Sequence, residues 1–211
     1  MIIHIEGISG SGKTTLGKKL SRQLNVGVID MDDIHHPNGL KLIEKQSNID
    51  ILFDCKINQS KHNSWDSFHE KTFKEYNDEL LKINQVELNK KLIDYKEKNL
   101  IITGGLHSMR INIDNGYVIK LDDEIRYKYI NNRTLDGIHE NYDEIKEILD
   151  SDISLYKKQL IISIKYKVPA NFMPPVNQFV SRSAEIMSTE LGYKYASQDD
   201  ISNEIEKLFT K

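Results

Sequence analysis

The chain has 211 residues, a net charge of −3 and a single cysteine, and these facts exclude several classes of protein. A chain of this length suits one α/β domain with an insertion, so we expect residues 1–211 to form a single domain. A pI near 6.2 argues against a basic surface that binds nucleic acid along its length. The single cysteine excludes a disulfide scaffold and a zinc site built on thiolates.

The chain opens with a predicted strand, a glycine-rich loop and a predicted helix. The strand is Ile2–Glu6, the helix runs from Lys13 to Leu24, and residues 7–14 between them read GISGSGKT. This is a complete G-x-x-x-x-G-K-[ST] phosphate-binding loop. Its glycines let backbone N–H groups approach an anion at the positive end of the helix dipole. The sequence therefore predicts binding of a nucleoside triphosphate.

The residues of this loop have distinct expected roles. Lys13 reaches the β and γ oxygens of the triphosphate, and the Thr14 hydroxyl ligates Mg²⁺. We therefore expect ATP and Mg²⁺ as cofactors. The predicted nucleotide-binding residues are Gly7, Ser9, Gly10, Ser11, Gly12, Lys13, Thr14 and Thr15.

An acidic cluster of Asp30, Asp32 and Asp33 follows the second predicted strand, Val26–Asp30. A carboxylate at that edge of a sheet faces the γ-phosphate position, where it can accept a proton from an attacking hydroxyl or hold a water on Mg²⁺. Aspartates also favour plain turns and helix caps. We expect at least one of the three to be functional, with Asp32 favoured. His35, beside the cluster, is a candidate substrate contact.

Residues 34–98 form a long insertion before the third predicted strand. We expect its opening piece, with Pro37, Asn38 and Gly39, to be irregular, and its polar sequence over residues 67–98 to be helical. Ligands of open α/β folds bind outside the carboxyl ends of the strands, which such an insertion covers. We therefore assign it to the second substrate.

Three more strands complete the predicted sheet, Leu100–Thr103, Tyr117–Leu121 and Tyr193–Ala196. Strands alternating with helices imply an α/β fold with a parallel sheet and helices on both faces. His107, just after the third strand, is a candidate for the acceptor pocket.

The sequence after the fourth strand is predicted to be mainly helical. A helical region covers about residues 122–165, and the proline-containing segment 169–179 is expected to be extended or turning. The last helix is amphipathic over residues 199–209, with Ser197 as its N-cap.

The loop GISGSGKT followed by VIDMDDIHHP, residues 28–37, resembles the P-loop small-molecule kinases that include uridine kinase, nicotinamide riboside kinase and gluconate kinase. The resemblance implies a P-loop NTPase fold with a five-stranded parallel sheet, a helical substrate insertion and a lid. It implies transfer of the γ-phosphoryl group of ATP to a small-metabolite hydroxyl, with a nucleoside or riboside as the favoured acceptor. In nucleoside-type members an aspartate after the second strand is the general base, and the match falls on Asp32.

Two further segments carry the resemblance. NSWDSF, residues 63–68, is similar to a Trp-Asp-Ser-Pro segment of nucleoside-type kinases, which implies that Trp65 and Asp66 lie near the acceptor. DDEIRYKYINNRT, residues 122–134, resembles the lid helix of the family. It implies that Arg126 and Arg133 lie over the phosphates, with Arg133 favoured for stabilising transition-state charge.

One position departs from the family. The third strand ends in Thr103, where uridine-kinase-like members have a glutamate that serves the metal. Mg²⁺ would then be held by Thr14 with help from Asp30 or Asp32, or the chain has lost efficient catalysis.

Three alternatives to a nucleoside kinase remain open. Within the enzymes, these are a nucleoside-monophosphate or a sugar-acid kinase, and the absence of arginine from residues 34–98 counts against a phosphorylated acceptor. Outside the enzymes, Thr103 favours a non-catalytic nucleotide-binding regulator. We expect no nucleic-acid or membrane partner and a cytoplasmic location. The oligomeric state stays open.

Overall fold

The computed structural model describes residues 1–45, 67–95, 98–105, 109–153, 158, 161–162, 165–166 and 177–209. The chain divides into two compact units. The first comprises Met1–Asp33, Glu87–Asn132 and Asn171–Lys211, and the second comprises Ile34–Val86 and Arg133–Ala170. The sheet and the phosphate-binding loop both belong to the first unit.

A five-stranded parallel sheet is the framework of the first unit, with the strand order β2-β3-β1-β4-β5. Its strands are β1 Ile2–Glu6, β2 Gly27–Asp30, β3 Leu100–Thr103, β4 Asn115–Ile119 and β5 Lys194–Ala196. The first strand of the chain is therefore the central strand. Its carboxyl end, where the phosphate-binding loop begins, is flanked by the ends of two neighbours. The predicted five-stranded parallel sheet is confirmed.

Helices occupy most of the remaining described sequence. They are α1 Lys13–Leu24, α2 Asp32–Lys45, α3 Ser67–Asp94, α4 Asp123–Glu140, α5 Tyr142–Asp150, α6 Asn177–Leu191 and α7 Gln198–Phe209. Over the residues that the structure describes, no helix combines the length and the apolar character needed to cross a bilayer.

The core of the first unit lies between one face of the sheet and helices α1 and α7. The alternate residues Ile3 and Ile5 of β1 point into it, because successive side chains of a strand face opposite sides. The helices contribute Leu16, Leu20, Ile201 and Ile205. The other alternate residues of β1, His4 and Glu6, are also buried, on the opposite face of the sheet.

The fourth strand begins two residues earlier than the sequence indicates. Asn115 and Gly116 are poor strand formers by propensity, yet they pair in register with β1. A side chain at Gly116 would meet the ring of Tyr193, since an added Cβ would lie 2.2 Å from two ring atoms. Close packing on the sheet therefore overrides local propensity here.

The segment around Pro37 was expected to be irregular, and this is wrong, since it lies inside α2. Proline removes one helical hydrogen bond. The helix nevertheless buries Ile34, Asn38 and Leu42, which share one face at a spacing of four residues. Packing of this face outweighs the lost bond.

The expectation of a non-helical segment through residue 179 is also wrong at its end. Helix α6 begins at Asn177, while residues 169–176 lie outside the described residues. Proline restricts its own backbone and that of the preceding residue, so a helix can begin two positions after Pro175.

Candidate functional site

The backbone of the phosphate-binding loop requires glycine at two positions. Gly10 and Gly12 both have a φ of +82°, in the left-handed region that other residues enter at a cost. A Cβ on Gly10 would lie 2.7 Å from Ile130 Cγ1, and a Cβ on Gly12 would lie 2.5 Å from Gln198 Nε2. The backbone therefore disfavours larger residues at both positions, and a side chain at either one would displace its neighbour.

The amino end of α1 is left open by its own sequence. Its N-cap residue is Gly12, which offers no side-chain cap, and the first turn contains no acidic residue. The first intrahelical bond joins Leu16 N–H to the Gly12 carbonyl at 2.9 Å. The N–H groups of residues 13–15 therefore point out of the helix end, where the helix dipole favours an anion. This end fits a phosphate group.

Three side chains from outside the loop hold its backbone in place. Glu6 Oε1 accepts the Gly7 N–H at 3.0 Å. Gln198 Nε2 donates to the Ser11 carbonyl at 2.6 Å, and Arg126 Nη1 donates to the Ser9 carbonyl at 3.5 Å. The loop is therefore fixed from β1, α7 and α4 at once.

Lys13 and Asp32 meet at the turn that follows β3. The turn residue, Gly104, has a φ of +83°. A Cβ on Gly104 would lie 3.3 Å from Lys13 Cε and 3.8 Å from Asp32 Oδ1. The cation and the carboxylate that the sequence singles out thus border the same glycine at the carboxyl edge of the sheet.

The three aspartates after β2 have different environments. Asp30 is buried, and its Oδ1 accepts the backbone N–H of Asp32 at 3.3 Å, which fixes the start of α2. Asp32 is half-buried as the first residue of that helix, and Asp33 is exposed. Asp32 combines access to solvent with a place beside Gly104, which Lys13 also borders.

The side chains near Thr14 suit a hard cation. Asp30 and Thr103 are partners in the register of two neighbouring strands, so their side chains lie on the same side of the sheet. That side faces α1, because a Cβ on Gly17 would lie 2.3 Å from Thr103 Cγ2, and Gly17 follows Thr14 by about one turn.

Oxygen is the donor type available there. Thr103 Oγ1 is buried and has no hydrogen-bond partner among the described residues, and Mg²⁺ prefers hydroxyl and carboxylate oxygens. The predicted ligands, the Thr14 hydroxyl and the Asp30 carboxylate, have this donor chemistry, and their role stays a prediction. Within the described part of the chain, no three His, Cys, Asp or Glu side chains form a metal-binding group. A cation here would take its remaining ligands from phosphates and water.

The two predicted lid arginines differ. Arg126 is 4% exposed and contacts the phosphate-binding loop. Arg133 is exposed and belongs to the second unit, so its predicted role stays a prediction.

The remaining predicted substrate residues lie in the second unit or outside the described residues. His35 Nδ1 accepts a hydrogen bond from Asn84 Nδ2 at 3.0 Å, and the Asn84 amide oxygen accepts one from Asn38 at 2.9 Å. These bonds orient the imidazole but do not test its role. Trp65, Asp66 and His107 lie outside the described residues.

Gln198 is a loop contact that sequence reasoning missed. Its partner, Ser11, lies 187 positions away in the chain. The only local signal is its place directly after the capping residue Ser197, at the carboxyl edge of β5. Such a signal indicates a helix start and gives no hint of a contact with the loop.

Three comparisons extend these observations. The family model AAA_18, described as an AAA domain, matches residues 3–149. A shikimate kinase from Thermodesulfovibrio yellowstonii is 26% identical over 168 aligned residues, which cover 74% of this chain and 80% of that protein. The crystal structure of TT1252 from Thermus thermophilus is similar over 100% of this chain and 96% of that chain, with a TM-score of 0.52 and 14% identity. This structural likeness concerns the fold alone, and it agrees with a P-loop NTPase fold.

Proposed function

We propose that this chain, which belongs to the AAA_18 family of AAA domains, is a kinase that transfers the γ-phosphoryl group of ATP to a hydroxyl group of a small metabolite. One observation carries the proposal. Lys13 of the phosphate-binding loop and Asp32 of α2 lie against the same glycine, Gly104. A nucleotide-binding module needs the lysine, and phosphoryl transfer to a hydroxyl also needs a base at this position.

The chain's own residues account for the steps of the transfer. The open end of α1 and the Lys13 ammonium group bind the triphosphate and hold its γ-phosphorus toward the acceptor. The acceptor oxygen forms a new bond to that phosphorus, the bond to the bridging oxygen breaks, and ADP leaves. Asp32 accepts the proton of the acceptor hydroxyl. When bound at Thr14 and Asp30, Mg²⁺ supplies positive charge to the phosphate oxygens.

Arg126 is the described arginine best placed to act at the loop. Its guanidinium already donates to the Ser9 carbonyl, so it can remain nearby as negative charge develops on the transferred group. Arg133 is the sequence-based candidate for the same role. We propose that Arg126 stabilises the negative charge that develops on the transferred group, and Arg133 is the alternative.

The acceptor we propose is a nucleoside or riboside, because residues 63–68 resemble the acceptor segment of nucleoside-type kinases. The name of the shikimate kinase relative suggests a hydroxy acid instead. Both classes present a hydroxyl group that Asp32 could deprotonate, so an acceptor screen should contain both.

A screen of acceptor-dependent ADP release tests the proposal. Nucleosides, nicotinamide riboside, gluconate and shikimate are incubated with the chain and Mg·ATP, and release is compared with that of Lys13→Ala. We expect one class of acceptor to raise ADP release, and Lys13→Ala to lose both this release and ATP-induced thermal stabilisation. Unchanged thermal stabilisation in Lys13→Ala would contradict the assignment of the loop.

The second candidate is a non-catalytic nucleotide-binding regulator. Thr103 favours it, because uridine-kinase-like proteins have a glutamate at this position. It shares the open end of α1 and predicts ATP binding without acceptor-dependent ADP release. If no acceptor raises ADP release and ATP still stabilises the chain normally against heat, this candidate is supported over the kinase.

A further inference from the structure

A buried histidine links the turn at Gly104 to the far edge of the sheet. His4 lies on β1 with no exposed surface. Its Nε2 lies 2.9 Å from the Gly104 carbonyl oxygen, and its Nδ1 lies 3.0 Å from the Tyr193 hydroxyl. The two rings meet edge to face, with centroids 5.3 Å apart. A polar side chain at the centre of the sheet is costly to bury unless both nitrogens are satisfied.

These partners determine the tautomer of His4. A carbonyl oxygen can only accept, so Nε2 carries the proton. In the neutral ring Nδ1 is then an acceptor, and the Tyr193 hydroxyl donates to it. Burial raises the pKa of Tyr193, and the nearby Glu6 carboxylate raises it further, which keeps this hydroxyl protonated. Glu6 Oε2 lies 3.6 Å from Nε2, on the side of the ring that carries the proton.

Both backbone polar groups of Gly104 are therefore held by β1. Its N–H donates to the Ile5 carbonyl at 3.1 Å, and its carbonyl accepts from His4. With a φ of +83°, this glycine has the conformational freedom to turn if either bond is lost. Lys13 and Asp32 border it, so a rotated peptide here would disturb the space between them.

We propose that His4 is a positioning residue for phosphoryl transfer, which holds the Gly104 turn so that Lys13 and Asp32 keep their relative placement. The proposal rests on the proposed kinase function. His4 touches neither the nucleotide nor the acceptor in this scheme. It acts through one hydrogen bond to a backbone carbonyl, and the Tyr193 hydroxyl satisfies the other ring nitrogen.

Two amide variants separate the two bonds. In His4→Gln the amide nitrogen can occupy roughly the position of Nε2 and keep the bond to Gly104. In His4→Asn the shorter side chain reaches only the position of Nδ1. It can therefore keep the hydrogen bond to Tyr193, but the hydrogen bond to the Gly104 carbonyl is lost. We expect His4→Asn to lower kcat by about tenfold, because small misplacements of reacting groups are costly, with KM for ATP within about twofold. His4→Gln should retain most of kcat.

Tyr193→Phe is the matched control. It removes the hydroxyl from the other nitrogen and leaves the Gly104 carbonyl with its donor, so we expect a lower melting temperature and a nearly unchanged kcat. A merely structural role for His4 predicts instead that kcat per folded molecule is the same in all three variants. That result, or an equal loss of kcat in His4→Gln and His4→Asn, would overturn the proposal.

Two measurements do not depend on turnover. The ¹⁵N shifts of the wild-type His4 ring should show a protonated Nε2 and an unprotonated Nδ1, and the opposite tautomer would overturn the proposal. The Gly104 amide and Lys13 ε-methylene signals should move in His4→Asn and stay in place in Tyr193→Phe. If the wild type phosphorylates no acceptor, the kinase assignment fails, while these signals still decide whether His4 holds the turn.

Discussion

Helices α1 and α7 have the same length and pack against the same core, yet their amino ends are built in opposite ways. At α7 the Ser197 hydroxyl accepts the Asp200 N–H at 3.2 Å, and two aspartates occupy the first turn. At α1 the cap is a glycine, and the first turn carries no acid. At the amino end of α7 the chain's own side chains satisfy a backbone N–H group and the helix dipole. At the amino end of α1 the backbone N–H groups and the positive end of the dipole stay available to an anion from outside.

Helix α4 combines the two patterns. Asp122 Oδ1 accepts the Glu124 N–H at 2.8 Å and caps the helix. Arg126 follows closely, although a cation near the amino end opposes the helix dipole. It is nevertheless buried and contacts the phosphate-binding loop. At α1 the residue that departs from what helix stability favours, Gly12, belongs to the loop, and at α4 the departing residue, Arg126, contacts it.

The largest effect should come from Asp32, which also stands in the first turn of a helix. Asp32→Asn removes the base and keeps the shape, so we expect turnover to fall by about 10² or more while ATP affinity changes little. Asp199→Asn at the start of α7 is the control and should leave turnover unchanged. Steady-state kinetics and calorimetric ATP titration measure both. Near-normal turnover in Asp32→Asn would move the role to Asp30 or Asp33, or remove it.

Arg126→Gln tests whether the buried cation in α4 serves the loop. A hydrogen bond to a charged group contributes about 1.5–3 kcal/mol, so turnover should fall by about ten- to hundredfold. Arg133→Gln is the matched control in the same helix. If Arg133→Gln is the more damaging of the two, the transition-state charge belongs to Arg133, as the family resemblance implies.

Thr15→Glu should make the end of α1 more like that of α7. A carboxylate in the first turn stabilises the helix when ATP is absent, and it repels a triphosphate. We therefore expect ATP affinity to fall by about tenfold, and the melting temperature without ATP to stay the same or rise. Thr15→Gln has nearly the same size without the charge and should bind ATP almost normally. Equal ATP affinities in the two variants would show that charge at this helix end is irrelevant to binding.

The smallest effect concerns the capped end itself. Ser197→Ala should lower the free energy of unfolding by about 1 kcal/mol, without changing turnover per folded molecule. Urea denaturation measures the first and the ADP-release assay the second. Ser197→Thr retains a capping oxygen and should recover most of the stability. A loss of ATP affinity in Ser197→Ala would mean that the cap also holds Gln198 against the loop.

The parts of the fold that follow from local patterns could be predicted from the sequence. The bounds of β1, α1 and β3 agree with the predictions, because apolar runs and a complete loop motif define them. The proximity of Lys13 and Asp32 to one turn follows from topology, since parallel strands bring their carboxyl ends to one edge.

Other features depend on distant contacts and could not be predicted. Gly104 is 100 positions from His4, and Ser11 is 187 positions from Gln198, so no local pattern reports either hydrogen bond. The helix through Pro37 depends likewise on packing of its buried face. The roles of Trp65, Asp66 and His107 stay predictions.

The position of β1 at the centre of the sheet has a consequence for biosynthesis. Its two neighbours begin at Leu100 and Asn115, and among the described strands β2 pairs only with β3. A nascent chain that ends before residue 100 therefore contains β1 and β2 without these partners. Pairings this distant in sequence form slowly. The phosphate-binding loop is therefore synthesised before β3 and β4, the strands that flank β1, and it gains their support only once both have been made.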